Sequence, residues 1–483
     1  MTKLVDALRQ KNTRTENGMV TNSSSLNACV DLFFNIGAMR GQDKNRLISN
    51  FSSALVEDPL RAMRILFWAR DVRGGAGERQ IFRDVIQYLA NGYKEFLSPN
   101  LSYIPEFGRW DDLLTLIGTP LEDEAFYLIS KAIEDKNGLC AKWMPRKGKE
   151  AEKLRAYMKM TPKQYRKTLV NLTQVVESKM CSNQWEEIEY GKIPSLASAR
   201  YQKAFGKHDP TGYTAYKQGL AAGTEKINAG AVYPYDVIKS VHRGDSAVAM
   251  EQWKALPNYM EDSENERILP VVDVSGSMSS AAGNNPNLTC MDVAVSLGLY
   301  ISERNEGTFK DAFITFSANP QLQYLKGDLK QRLNQMRSSD WGMNTNLQAT
   351  FDLILSQAKM HSVPESEMPT KILILSDMEF DAAVSNHTSL WGRSSSVPTF
   401  DPTAQEMIRK QYEEAGYKMP AIVYWNIQSR NGNVPVRFDE SGTALISGFS
   451  PSIMKSILGG DIESPVQIMD KTIMDNRYET ITV

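Results

Sequence analysis

The sequence has few of the residues that build disulfide frameworks or soft-metal centres. Its 483 residues include four cysteines and four histidines, widely separated and without a Cys-x-x-Cys pair. This pattern argues against a disulfide scaffold, a structural zinc site or a histidine-rich centre, and it fits a reducing compartment. We therefore expect a cytoplasmic protein.

Long apolar runs and catalytic motifs are also missing. The apolar runs, such as 371–376, are too short to cross a bilayer, and the first eighteen residues lack the apolar core of a secretion signal, so we expect no membrane partner. There is no GxSxG, HExxH, Walker A or glycine-rich dinucleotide motif. We therefore expect a binding protein and not an enzyme, with a metal-dependent nuclease as a less favoured alternative.

The chain divides into two parts of different charge and periodicity. Residues 1–268 carry 38 Lys or Arg and 33 Asp or Glu, whereas residues 269–483 carry 17 and 24. Up to about residue 255, apolar residues recur every three or four positions in short units, which predicts α-helices. We expect an irregular HEAT-like helical array over 1–265.

From residue 266 the pattern changes to alternating strands and helices. Buried strands are predicted at 268–274, 309–317, 371–376, 420–427 and 443–446, with helices at 289–304, 328–337, 347–359, 402–416 and 451–458. Residues 381–401 and 427–440 are polar and are expected to form loops. This alternation predicts a Rossmann-like α/β domain over 266–483, so the whole chain is expected to be an α and α/β protein.

Oxygen-bearing side chains are found directly after two predicted strands and at the start of a predicted helix that lies between these strands in the sequence. Asp273, Ser275 and Ser277 follow the first strand, Thr345 precedes the helix at 347–359, and Asp377 follows the strand at 371–376. The carboxyl ends of strands are where open α/β sheets bind ligands, and such oxygens suit a hard divalent ion, most simply Mg²⁺.

These five residues resemble the metal-ion-dependent adhesion site of the von Willebrand factor A fold, whose pattern is Asp-x-Ser-x-Ser, then Thr, then Asp. The resemblance implies that Ser275, Ser277 and Thr345 ligate the ion directly, while Asp273 and Asp377 act mainly through water. One position would stay open for an anionic group of a protein partner. Two alternatives remain: the hydroxyls cap the following turn, or the ion is purely structural.

Residues 142–167 are strongly basic, with ten Lys or Arg and two acidic residues. Clustered cations bind polyanions by releasing counterions, and aromatic rings among them can stack on bases. The candidate RNA-binding residues are Lys142, Trp143, Arg146, Lys147, Lys149, Lys153, Arg155, Lys159, Lys163, Arg166 and Lys167. Tyr157 and Tyr165 are further candidate stacking rings, and the spacing within 153–167 favours one basic helix face. The alternative is a solvated face above aromatic core residues.

The chain as a whole resembles the DUF2828 group of bacterial, phage and plant proteins, in segments 64–83, 109–114, 142–148 and 193–205. Its architecture is similar to that of the Ro, or TROVE, family, in which helical repeats form a ring against a von Willebrand A domain and bind noncoding RNA. The resemblance implies an RNA-binding protein, located in the host cytoplasm if phage-encoded. The sequence leaves the oligomeric state open, with a monomer favoured. The alternative is a metal-dependent protein-interaction module without an RNA role.

A glycine loop over 74–77 lies between arginines at 73, 79 and 83. It could cradle a phosphate, but it has no GK[ST] sequence and lies between helices, so a glycine cap at the end of the preceding helix is the favoured interpretation. Asp111 and Asp112 begin another predicted helix, where carboxylates favour the helix dipole. We do not expect a catalytic role for them.

Overall fold

The computed structural model describes residues 12–173, 175–243, 246–261, 266–283, 285–316, 320–339, 346–380 and 404–483. The chain forms two compact units, each built from two segments. Residues up to 43 and 258–472 form one, here called the sheet unit, and residues 44–257 and 473–483 form the other, the helical unit. Sequence analysis expects one boundary near residue 265, whereas in the structure each unit also draws on a segment from the opposite end of the chain.

The secondary structure follows the two periodicities of the sequence. The strands are β1 (Asn12–Arg14), β2 (Val20–Asn22), β3 (Ile268–Asp273), β4 (Ala312–Phe316), β5 (Leu322–Tyr324), β6 (Lys371–Ser376), β7 (Ala421–Asn426) and β8 (Thr443–Ser447). The helices up to residue 257 are α1 (Ala28–Ile36), α2 (Lys44–Glu57), α3 (Pro59–Arg70), α4 (Arg79–Gly92), α5 (Lys94–Leu97), α6 (Ile104–Phe107), α7 (Glu122–Glu134), α8 (Gly138–Trp143), α9 (Lys149–Tyr157), α10 (Pro162–Leu172), α11 (Val176–Cys181), α12 (Ser195–His208), α13 (Pro210–Ala221), α14 (Pro234–Arg243) and α15 (Ser246–Lys254). The later helices are α16 (Cys290–Arg304), α17 (Leu329–Ser338), α18 (Leu347–Met360), α19 (Ala404–Glu414), α20 (Met454–Ile457) and α21 (Pro465–Ile473).

The sheet unit is built around a six-stranded sheet in the order β5-β4-β3-β6-β7-β8. All neighbours pair in parallel except the edge strand β5, which pairs antiparallel with β4. The five parallel strands are almost wholly buried, as strands covered on both faces must be. The chain leaves β3 for β4 on one side and reaches β6 on the other. The β3–β6 crevice is therefore the switch point where such sheets bind ligands.

Residues 12–43 join the sheet unit through short contacts that the sequence pattern does not predict. The amide of Asn22 donates to the Val434 carbonyl at 3.1 Å. The hydroxyl of Ser447, at the end of β8, accepts from the amide of Gly37 at 3.1 Å and donates to the carbonyl of Phe33 at 2.8 Å. A Cβ at position 37 would lie 2.7 Å from that hydroxyl oxygen, so glycine allows α1 to approach β8 closely.

In the helical unit, the described residues contain no strand. Apolar residues at helical spacing are buried between successive helices, and a separate core cluster lies near its C-terminal helices. Its members are Ile188, Tyr190, Ile193, Phe205, Tyr213, Tyr216, Leu220 and Val248. Across the described part of the chain, no helix is long and apolar enough to cross a membrane.

Candidate metal centre and basic surface

Asp273 stands at the carboxyl end of β3 and organises the loop that follows. Its side chain is fully buried. One carboxylate oxygen accepts from the amide of Ser275 at 2.9 Å, and the other accepts from the hydroxyl of Ser376 at 2.6 Å. Ser376 ends the neighbouring strand β6, and sequence analysis missed it. The hydroxyl oxygens of Ser275 and Ser277 lie 3.0 Å apart, so one strand end presents a carboxylate and two hydroxyls.

Asp377 follows β6 and is also buried. Its Oδ2 atom has no hydrogen-bond partner among the described residues, although the Nη2 atom of Arg430 lies 3.4 Å away as an ion pair. The same nitrogen donates to the carbonyl of Ser277 and the hydroxyl of Ser280, both at 2.6 Å. Arg430 therefore ties the two strand ends together. Sequence analysis missed it because it lies in the polar loop after β7.

Burial disfavours the charged form of both carboxylates. Burial and the nearby Asp377 carboxylate raise the pKa of Asp273 to about 7. Burial likewise raises the pKa of Asp377, while Arg430 acts in the opposite direction. Two buried carboxylates with raised pKa values are stabilised in their charged forms when a cation binds nearby.

The chemistry of this strand edge fits a hard divalent ion. A buried carboxylate oxygen is costly unless it is compensated, and Asp377 Oδ2 has no hydrogen bond and only the 3.4 Å ion pair with Arg430, which leaves room for a further cation contact. Within the described ranges no three His, Cys, Asp or Glu side chains converge as a metal cluster. An ion here would therefore depend on the serine hydroxyls and water, which suits Mg²⁺. Thr345, the remaining predicted ligand, lies outside the described residues.

The Ser275 hydroxyl does not cap the turn that follows it. This residue precedes the short 3₁₀ helix Gly276–Ser279, where a capping hydroxyl would accept from an amide of the first turn. The Ser275 side chain makes no such bond. The hydroxyl instead faces that of Ser277, an arrangement that helix capping does not explain.

The basic segment 142–167 is divided among three helices of the helical unit and the turns between them. It comprises the end of α8, the loop to α9, α9 itself and the first half of α10. The prediction that the cations within 153–167 share one helix face is wrong, because they lie on two helices and the turn between them. The chain leaves α9 after Tyr157, Lys159 takes a left-handed φ of 53°, and Thr161 then caps α10 with its side chain.

The cations of this segment remain available to solvent. Eight of the ten are exposed, and Lys142 and Arg155 are partly buried. Only Lys153 forms an ion pair within the described part of the chain, with Glu122 at 2.7 Å. On α10, Lys163, Arg166 and Lys167 share one helix face, opposite the buried Tyr165 and Leu169. We call these ten side chains the basic surface.

The three aromatic rings of the segment differ in availability. Tyr165 is buried, and its hydroxyl donates to the carbonyl of Pro145 at 3.0 Å, so it is a core residue and not a stacking platform. Tyr157 is 39% exposed beside the ring of Phe126. Trp143 is partly buried. The stacking prediction therefore retains Trp143 and Tyr157.

A cluster of ion pairs beside the basic surface was not identified as a unit from the sequence. Asp112 is fully buried and accepts from Arg70 at 2.7 and 2.8 Å and from Arg83 at 2.7 Å. Asp111 pairs with Arg83 at 2.8 Å and with Arg109 at 2.6 Å. The available signal was Arg70 itself, a charged residue within an otherwise apolar helical pattern.

The glycine loop does not cap α3 in the expected way. The helix ends at Arg70, the C-cap residue Asp71 has a φ of −58°, and the left-handed glycine is Gly77, just before α4. Gly75 serves close packing: a Cβ there would lie 1.9 Å from the carbonyl oxygen of Trp68. The glycine-cap interpretation is therefore wrong, because the loop folds back on α3 through the amide of Ala76, which donates to that carbonyl at 3.1 Å.

Comparison with known proteins places the chain in a family. The model of a domain of unknown function, DUF2828, matches residues 15–137 and 128–268, and that of a second such domain, DUF7788, matches residues 267–480. The chain is also similar to the uncharacterized protein L728 of Acanthamoeba polyphaga mimivirus. The two are 29% identical over 517 residues, which cover 94% of this chain and 86% of that protein. The chain therefore belongs to the DUF2828 family, as the resemblance in sequence indicates.

Proposed function

We propose that this chain is a Ro-like RNA-binding protein that holds single-stranded or structured noncoding RNA on its basic surface. The proposal rests on the exposure and pairing of the ten cations of the basic surface. Most of them are exposed, and only one is ion-paired within the described residues. Unpaired, clustered Lys and Arg release counterions when they bind a polyanion. The proposal includes a HEAT-like repeat architecture for the helical unit, of the kind that forms a ring in the Ro family.

The proposal also assigns a divalent ion, with Mg²⁺ expected, to the sheet unit, which would then be a von Willebrand A-type domain. Asp273, Ser275, Ser277 and Asp377 would hold the ion together with Thr345. The bound ion would supply a positive charge for an anionic group of a protein partner. The Oδ2 atom of Asp377, which has an ion pair with Arg430 but no hydrogen bond, and the paired hydroxyls support this assignment.

The RNA proposal is tested by charge reversal. We expect the variant with Arg146, Lys147, Lys153 and Arg155 changed to Glu to lose single-stranded RNA binding in fluorescence anisotropy. In the wild type, affinity should fall steeply with salt, by about 0.7 log units per phosphate contact for each tenfold rise in salt. A matched control changes Lys203, Lys207, Lys226 and Lys254 to Glu. Lys254 is ion-paired with Glu251, as Lys153 is with Glu122, so both variants break one pair. Equal RNA binding by the two variants would overturn the proposal.

A second candidate, a metal-dependent protein-interaction module, is favoured by the buried carboxylate pair alone. In that case the helical unit is a scaffold and the wild-type protein does not bind RNA. Asp273→Ala then abolishes binding of the protein partner. The 260/280 nm absorbance ratio of the purified protein separates the two candidates, because copurifying nucleic acid is expected only for the first. Incubating labelled RNA with Mg²⁺ tests the nuclease alternative, and we expect no cleavage.

A further inference from the structure

A small cavity lies within the basic surface, between the α8–α9 loop, α9 and the start of α10. Its volume is about 140 Å³. Four cations line it, Arg146, Lys147, Arg155 and Arg166, together with a single carboxylate, Glu152. The cavity therefore concentrates positive charge in a concave space, which attracts anions.

The four cations are not neutralised by the protein. None of them forms an ion pair within the described part of the chain, and neither does Glu152. Their hydrogen bonds go to neutral oxygens: Arg146 donates to the Thr173 hydroxyl at 3.3 Å and Arg166 to the Pro162 carbonyl at 3.2 Å. Each guanidinium has five N–H donors, so both keep donors for a ligand.

The walls of the cavity are fixed by core packing. Tyr165 lines it, is 1% exposed, and is anchored by its hydroxyl bond to Pro145. Gly148, also in the lining, takes a φ of 87° at the start of α9, a conformation that favours glycine. The cations therefore project from two packed helices and a defined turn, so less ordering is needed when a ligand binds.

Size and charge together select the ligand. The volume of about 140 Å³ is less than the roughly 300 Å³ typical of drug-sized ligands, so a small tetrahedral oxyanion is the better match. Guanidinium forks match phosphate oxygens bidentately. A terminal phosphomonoester carries about −1.5 to −2 at neutral pH, whereas an internal diester carries one charge. The terminal phosphomonoester therefore matches the net positive charge of three arginines, a lysine and one glutamate better than an internal diester does.

We propose that this cavity binds the terminal phosphate of an RNA strand whose backbone follows the surrounding lysines. The inference rests on the proposed RNA-binding function and adds a preference for one chemical end group. RNA is favoured over a phosphopeptide because exposed Lys149, Lys163 and Lys167 flank the cavity residues in sequence, which extends the positive surface as a polyanion requires.

The test compares two versions of one single-stranded oligoribonucleotide, with a 5′-phosphate or a 5′-hydroxyl, in anisotropy titrations against the full chain. We expect the wild type to prefer the phosphorylated RNA about tenfold, equivalent to about 1.4 kcal/mol. Arg155→Gln with Arg166→Gln should reduce the preference to less than twofold. The control, Lys159→Gln with Lys167→Gln, should lower the affinity for both RNAs and keep the preference for the phosphorylated one. The same RNA with a 3′-phosphate or a 3′-hydroxyl gives a second pair for the other strand end.

The outcomes separate the two proposals. RNA binding without a preference for a terminal phosphate at either strand end overturns the cavity assignment and leaves the proposed function standing. If no RNA binds, but inorganic phosphate or a phosphoserine peptide raises the melting temperature in an Arg155-dependent manner, the RNA assignment is overturned together with the proposed function. Circular dichroism shows whether the Arg155→Gln, Arg166→Gln variant is folded. If it is folded and still prefers the phosphorylated RNA as the wild type does, the cavity assignment is overturned.

Discussion

The guanidinium carbon of Arg109 lies 3.8 Å from the ring centre of Trp143, so one face of the indole is already covered. Arg109 is also held by Asp111, which links the ring to the neighbouring ion-pair cluster. A base could therefore stack only on the opposite face of Trp143.

This geometry predicts the effect of Trp143→Leu. Stacking on an aromatic ring contributes about 1–3 kcal/mol per base, so we expect single-stranded RNA affinity to fall by that amount in anisotropy titrations. The control is Trp185→Leu, since the Trp185 ring stacks on His208 at 4.5 Å in another part of the helical unit. If both variants bind RNA as the wild type does, Trp143 is not a stacking residue.

Mg²⁺ should stabilise the sheet unit through the strand edge of β3 and β6. A ligand at a hundred times its Kd stabilises a folded protein by about 2.7 kcal/mol, so the melting temperature should rise with added Mg²⁺. We expect Asp377→Ala and Ser277→Ala to abolish or weaken that rise. Asp439→Ala, at an exposed residue of the same unit, should leave it unchanged. An equal rise in all variants would place the ion elsewhere.

Asp112 should contribute far more to stability than its neighbour Asp111. Replacing Asp112 by Ala leaves Arg70, which is 1% exposed, as a buried charge with no carboxylate, and such losses cost about 3–5 kcal/mol. Asp111 is partly solvent-accessible, so Asp111→Ala should cost about 1 kcal/mol or less. Urea titrations of both variants measure the difference, and equal losses would contradict the assignment of the buried pair.

The four thiols should react very differently with a thiol reagent in the native protein. Cys181 is exposed, while Cys29, Cys140 and Cys290 are buried. Burial raises the pKa of Cys140 to about 12 and that of Cys290 to about 11, and only the thiolate reacts. At pH 8 we expect one rapid thiol per chain, which Cys181→Ser removes, and four in urea. Rapid reaction of the Cys181→Ser variant would show that a buried thiol is accessible.

The parallel strands could be predicted because each buried strand is one short apolar run between helical patterns. The predicted strand at 371–376 coincides with β6, and the predicted strand at 443–446 falls within β8. The edge strand β5 was missed because it is three residues long and mostly exposed. Such a strand carries no apolar periodicity, and its pairing with β4 is set by the fold.

The position of Asp273, Ser275, Ser277 and Asp377 at one sheet edge could be predicted, because each follows a short apolar strand in the sequence, but the residues that support them could not. Ser376 and Arg430 act through contacts to residues more than a hundred positions away, which local pattern does not encode. The basic surface shows the opposite error. Its cations could be predicted by counting charges. The spacing of those cations favours a single helix face, so the left-handed turn at Lys159 and the burial of Tyr165 were not predicted.

The interleaved segments of the two units constrain how the chain can fold. The buried Asp71 of the helical unit is bonded by Arg477 and by the Tyr478 hydroxyl at 3.1 Å, and the hydroxyl of Ser447 in β8 holds α1. Neither unit has its full set of partners until distant parts of the chain have been synthesised. Ribosome-bound intermediates should therefore stay incomplete until a late stage of translation, and cutting the chain between the two family matches would leave both fragments with exposed, unpaired core surfaces.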